Sequence, residues 1–197
     1  MSNSWIHTYK GNKVWPLEAR GTFCIEDIAH ALSMQCRFNG ATSSFYSVAE
    51  HCVRVSRITG CIHGLMHDAG EAYLPDVASP IKGHLYVQDH SHHRLQPWDT
   101  VSEGDLIELI LIEQRLHEAI YEQLGLDCQG ANLSAEDVRQ ADLVMLVTEA
   151  NELMHGTTDW PNADQLPHPL ERIGPSLGWF PKQAKHEFLT AFLELTP

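Results

Sequence analysis

Met66-His-Asp-Ala-Gly-Glu-Ala-Tyr-Leu-Pro-Asp76 is the stretch that organises the rest of the chain. Its spacing predicts one helix from about Cys61 to Tyr73, stopped before Pro75, with His67 and Asp68 set among apolar neighbours. An ionised Asp on an apolar helical face is costly unless it is paired or bound to a cation. Ala141-Asp-Leu-Val-Met145 poses the same problem in a second predicted helix, and His51 lies in a third, with Val48, Cys52 and Val55 facing inward. A divalent ion shared by His51, His67, Asp68 and Asp142 solves all of these together. Imidazole nitrogens with carboxylate oxygens suit Mn, Co, Fe, Ni or Zn, and spacing does not choose among them. Four protein ligands on an ion that prefers six leave room for water and a substrate oxygen, as a metal hydrolase requires. A lone His in an apolar helix is more often a hydrogen-bonded core residue, and an isolated His-Asp pair is weak. An ordered set over three helices, with Glu71 one turn beyond the pair, is much harder to reach by accident.

Outward from that stretch the chain reads as mostly α, one helical bundle over residues 1–197 with a short N-terminal β-hairpin. Trp5 to Tyr9 and Val14 to Leu17 flank a turn at Gly11-Asn12. Glu26 to Arg37 carries Ile28, Leu32 and Cys36 at helical intervals. Ser47 is a predicted N-cap for the His51 helix. Asp105 to Leu124 reads as a helix ended by Gly125. Ser134 opens another that runs to about Met154, and a last helix follows Pro181. Gly83 to Gly104 and Gly156 to Phe180 read as long loops.

The 197 residues suffice for one domain with its own core, 43% of them hydrophobic. A formal charge of −13 argues against a protein that neutralises a long phosphate backbone, so no nucleic-acid partner is expected. A small anionic molecule remains open, because a metal and a few placed cations reverse the sign locally. The five cysteines contain no Cys-x-x-Cys pair and read as small buried residues in a reducing compartment. The N-terminus has no apolar core for a signal peptide and no run is apolar enough for a bilayer, so the expected setting is the cytoplasm, without membrane partners.

Over roughly Ile25 to Glu152 the residues resemble the HD-domain phosphohydrolases, most closely the small bacterial and prophage 5'-deoxynucleotidases and the phage dATP triphosphohydrolases. The likeness rests on Cys36-Arg-Phe-Asn-Gly40, Phe45-Tyr-Ser-Val-Ala-Glu-His51, His67-Asp-Ala-Gly-Glu71, Asp76, Ser79-Pro-Ile-Lys82 and Ala141-Asp-Leu-Val-Met-Leu-Val-Thr-Glu149. It implies His51, His67, Asp68 and Asp142 as ligands of a divalent ion: Mn, Co, Zn, Mg or Fe. It implies that Glu71, four residues after His67 and so on the same helix face, orients or deprotonates the attacking water. Asp76 would protonate the leaving 5'-oxygen, and Arg37 and Lys82 would hold phosphate oxygens. Each has an ordinary alternative: a solvated carboxylate, a turn-forming Asp after Pro, or a surface cation. Phe38 stands where the cellular 5'-deoxynucleotidases have Trp, at the position tied to sugar discrimination, which loosens the expectation of a deoxyribose preference.

The resemblance therefore implies hydrolysis of a deoxynucleotide phosphate ester in nucleotide-pool control, with dATP favoured and homo-oligomers common. Two other readings remain: an HD-domain phosphodiesterase or alarmone hydrolase, and a non-catalytic metal-bound nucleotide sensor. His63 ahead of His67, the group His84, His90, His92 and His93, and the dipeptides His117-Glu118 and His186-Glu187 are weaker metal signals and are set aside. No P-loop, dinucleotide fingerprint or nucleophile elbow is present.

Overall fold

A computed structural model of the protein describes residues 5–88, 106–127, 135–157, 159–171 and 178–196. Ser134, Cys128, His90, His92, His93 and most of the predicted loop 83–104 lie outside these residues. The described chain is mostly helical, with a small antiparallel sheet near the N-terminus. The expected hairpin is there, β1 (Ile6–His7) with β2 (Lys13–Trp15), and a third strand, β3 (Arg20–Gly21), pairs with the far edge of β2. The buried Asp27 of α1 (Ile25–Met34) pins the turn, accepting from the Lys10 N–H at 2.7 Å and Asn12 Nδ2 at 2.8 Å.

The centre of the molecule is α2 (Val48–Thr59), buried on all sides from Val48 to Ser56. Ser47 caps it as expected, its hydroxyl accepting from the Glu50 N–H at 3.1 Å, and Gly60 closes it in the left-handed region. The core around it joins Val14, Ile28, Leu32, Val48, Cys52, Leu65, Leu116, Ile120 and Phe188. Burial of α2 extends to charge. Glu50 accepts from Arg54 Nη2 at 2.6 Å and from the Trp179 N–H at 2.7 Å, and the Arg54 guanidinium lies over the Trp179 ring. That network fastens the chain entering the last helix to α2, and helix α7 (Pro181–Leu195) packs on α1, α2 and α3 (Ile62–Met66).

The predicted helix from Cys61 to Tyr73 is corrected: α3 ends at Met66, and Asp68, at φ −100° and ψ 17°, turns the chain into a 3-10 segment, Ala69–Ala72. Glu71 is therefore not one α-helical turn above His67. The break turns Asp68 back toward His67 and His51. Gly64 sets how closely α3 lies on α2. A Cβ there would stand 3.0 Å from the Ser56 Cα and overlap the Thr59 hydroxyl. Beyond α4 (Ser79–Lys82), β4 (Tyr86–Gln88) pairs with β5 (Leu106–Glu108), so the predicted loop contains a strand and the predicted helix from Asp105 starts at Leu109. Helices α5 (Leu109–Leu124) and α6 (Ala135–Leu153) follow. The cysteines are less buried than expected: Cys52 is buried, while Cys24, Cys36 and Cys61 are partly exposed, and these four are free. No described helix is long and apolar enough to cross a membrane.

Candidate metal centre

Three elements deliver the donors. His51 projects from the buried middle of α2, His67 and Asp68 from the break after α3, and Asp142 from α6. His51 Nε2 and His67 Nε2 are 3.2 Å apart, and Asp68 Oδ2 lies 3.2 Å from His67 Nε2. One donor atom from each of these three residues falls within 4.8 Å of the others, a set able to hold a metal ion. Asp142 Oδ1 reaches His51 Nε2 at 3.0 Å.

The partners of the other ring nitrogens assign the protons. His51 Nδ1 is 2.7 Å from Glu149 Oε1, and the His51 and Arg37 charges hold the Glu149 carboxyl below its ordinary value against the effect of burial. An ionised carboxylate only accepts, so Nδ1 carries the hydrogen. His67 Nδ1 likewise donates to the Gly64 carbonyl at 2.9 Å. In the neutral rings both Nε2 lone pairs then point into the same space, which repels unless a cation sits between them. Two nitrogens about 2.1 Å from one ion at right angles stand about 3 Å apart, close to the observed gap. Without a metal, a proton serves instead. Burial disfavours charge on His67, yet Asp68 beside it raises its pKa to about 9. Asp68 is held well below the carboxylate range, against its burial, by His67.

Glu149 follows Asp142 by seven residues, two turns along one face of α6. It has no exposed surface, and it accepts from Tyr46 Oη at 2.8 Å and from Arg37 Nε at 3.2 Å besides His51. Arg37 Nη1 also stands 3.5 Å from Asp68 Oδ2, so this guanidinium belongs to the site, not to the open surface. Phe38 and Asn39 follow with φ of +55° and +51°, the left-handed region that Asn adopts readily and Phe seldom does.

The opposite rim is less well paired. Burial, then the charges of Asp68 and Asp76, push the Glu71 carboxyl up to about 8, and its Oε2 is buried with no hydrogen-bond partner. Burial also raises Asp76. Gln35 ties the two together, donating to the Glu71 carbonyl at 2.8 Å and accepting from the Asp76 N–H at 3.3 Å. Lys82 stands 3.5 Å from Glu71 Oε1 and 3.0 Å from Glu113 Oε1. Carboxylates thus outnumber cations here, and a bound divalent ion would offset the excess.

The residues picked from sequence, Arg37, His51, His67, Asp68, Glu71, Asp76, Lys82 and Asp142, are brought to one site. His63 is not: it lies against Tyr121, with ring centroids 5.7 Å apart, and His84 is exposed. Glu149, Tyr46, Gln35 and Glu113 were missed. Glu149 could have been found as a carboxylate two turns from Asp142 in an apolar run, whereas no local pattern marks Glu113.

No family model matches the chain. It is 32% identical over 169 residues to the uncharacterized protein YfdR of Escherichia coli K12, covering 83% of this chain and 81% of YfdR. It is also 39% identical over 79 residues to an uncharacterized protein of Rhodobacter capsulatus, covering 32% of this chain and 40% of that one.

Proposed function

We propose that this chain, which belongs to the family of the uncharacterized protein YfdR, is a metal-dependent phosphohydrolase of the HD-domain type acting on a deoxynucleotide phosphate ester. The observation that carries the reading is the pair of imidazoles whose Nδ1 protons are both engaged, leaving two Nε2 lone pairs and Asp68 converging on one point. His51, His67 and Asp68 would hold a divalent ion, with Asp142 completing the set. Such an ion supplies positive charge that acidifies water and polarises a phosphoryl oxygen.

The remaining roles fall to the chain itself. With a bound cation offsetting the burial and neighbouring charges that raise its proton affinity, Glu71 would be ionised and accept the proton of the attacking water, its buried Oε2 having no other partner. Asp76, raised by burial, returns a proton to the leaving oxygen. Arg37 is prepositioned by Glu149 and Asp68, and offers its remaining N–H groups to phosphate. Lys82 balances Glu71 and Glu113 and exchanges one of them for a phosphate oxygen. Phe38 borders the Arg37 guanidinium, its ring 5.5 Å away, and forms the sugar-facing wall. The substrate reading favours dATP, cleaved to deoxyadenosine and tripolyphosphate, over dNMPs. The cytoplasmic setting, homo-oligomeric state and role in nucleotide-pool control belong to the same proposal.

The test is turnover of dNMPs, dNTPs and the matching ribonucleotides with Mn, Co, Mg or Zn, with the phosphate products resolved. Tripolyphosphate from dATP alone gives the triphosphohydrolase, and orthophosphate from several dNMPs gives the 5'-deoxynucleotidase. A protein that binds metal but turns over none of them would sink the assignment.

A further inference from the structure

We propose that Glu149 is a positioning residue that fixes which nitrogen of His51 faces the metal and ties that choice to the placement of Arg37. The inference rests on the metal reading above. His51 has no exposed surface and its ring is held at both ends, Nδ1 by Glu149 at 2.7 Å and Nε2 among His67, Asp68 and Asp142. Only an acceptor at Nδ1 leaves Nε2 free to ligate, because a neutral imidazole carries one proton. Glu149 is that acceptor, and its geometry is over-determined. Oε1 receives both His51 and the Tyr46 hydroxyl, while Oε2 receives Arg37 Nε. One carboxylate therefore joins a metal-facing imidazole to a phosphate-facing guanidinium, and its two oxygens do separate work. Carboxylates behind ligating histidines commonly change metal affinity by roughly 10- to 100-fold when removed.

Glu149→Gln keeps the volume but loses one acceptor, since an amide nitrogen cannot receive Arg37 Nε while its oxygen receives His51. Mn titrated into the metal-free protein by calorimetry is expected to bind Glu149→Gln roughly 10- to 100-fold more weakly than the unaltered chain. Nitrogen-15 NMR of the His51 ring is expected to show its single Nδ1–H form replaced by a mixture. Tyr46→Phe, which keeps the carboxylate and removes one of its tethers, should weaken Mn binding less. A merely structural role would lower the melting temperature and leave both readouts where they were, and that result overturns the proposal. Should Glu149→Gln not fold, Tyr46→Phe decides: unchanged Mn affinity overturns the proposal. An unaltered chain that binds no Mn overturns the metal reading itself, whereas binding that Glu149→Gln retains overturns only the role given to Glu149.

Discussion

The two walls of the site are built on opposite principles. On the α2–α6 wall both Glu149 oxygens are engaged, by His51, Tyr46 and Arg37, and the side chains of Glu149, His51 and Tyr46 have no exposed surface. On the α3–α4 wall Glu71 and Asp76 stand near one another with raised proton affinities, Glu71 Oε2 has no partner, and Lys82 is divided between two acids. A satisfied network holds its geometry, while an under-satisfied one is waiting for a charge to arrive. Under the proposed function, the first wall would fix a metal ligand and the second would exchange protons with a substrate.

The sharpest way to break this contrast is at the donors. Asp68→Asn should abolish measurable Mn binding by calorimetry and reduce phosphate release by more than the roughly hundredfold typical of a partner behind a ligand. Retained Mn affinity would mean the converging donors are not a metal site. Glu71→Gln should act on the other wall alone, lowering kcat by about 10² to 10⁴ while Mn affinity stays near its original value. Parallel loss of both would merge the two walls into one.

Gly64→Ala tests whether helix spacing underlies the first wall. The added methyl meets backbone, so we expect a destabilisation of about 1–3 kcal/mol and weaker Mn binding, read by thermal melting and titration. A further test is the pH dependence of the metal-free protein. His67 and Glu71 hold their protons more tightly when folded, with pKa values of about 9 and about 8 against ordinary values of 6.5 and 4.5. The associated stability is complete below those ordinary values and is lost as pH rises through the folded ones. The melting temperature in chelator should fall between pH 6.5 and 9, most steeply below 8, where the folded protein holds both protons that the unfolded chain has already lost. Added Mn replaces the protons, so the gap between metal-loaded and metal-free melting should widen with pH. A gap that narrows would contradict the assignment.

The parts legible in the sequence were those specified locally. The Ser47 cap, the Gly125 helix end and the apolar stripe of α2 each follow from a few neighbouring residues, and they put His51 on a helix. The donors were legible because charge on an apolar face demands a partner. The break at His67 was not, since helical spacing continues through Glu71 and only packing against α2 and α5 decides that the chain leaves the helix. Glu149 touches a residue 98 positions away and Glu113 meets Lys82 across the fold, so neither contact has a local signature. The strand pair β4–β5 was hidden for the same reason, its partners lying on either side of a long intervening segment.

The hydrogen bond from the Trp179 N–H to Glu50 has a consequence for how the protein is made. Glu50 immediately precedes His51, and it gains the Trp179 N–H only when a residue 129 positions later arrives. Helix α7, which covers α1 and α2, is later still. A nascent chain on the ribosome therefore carries all of the proposed metal ligands while the helix behind them lacks its cover. A chain lacking residues 178–195 would leave Glu50 without its Trp179 donor and α2 without its cover, and the histidines and acids beside them without part of the frame that aims them.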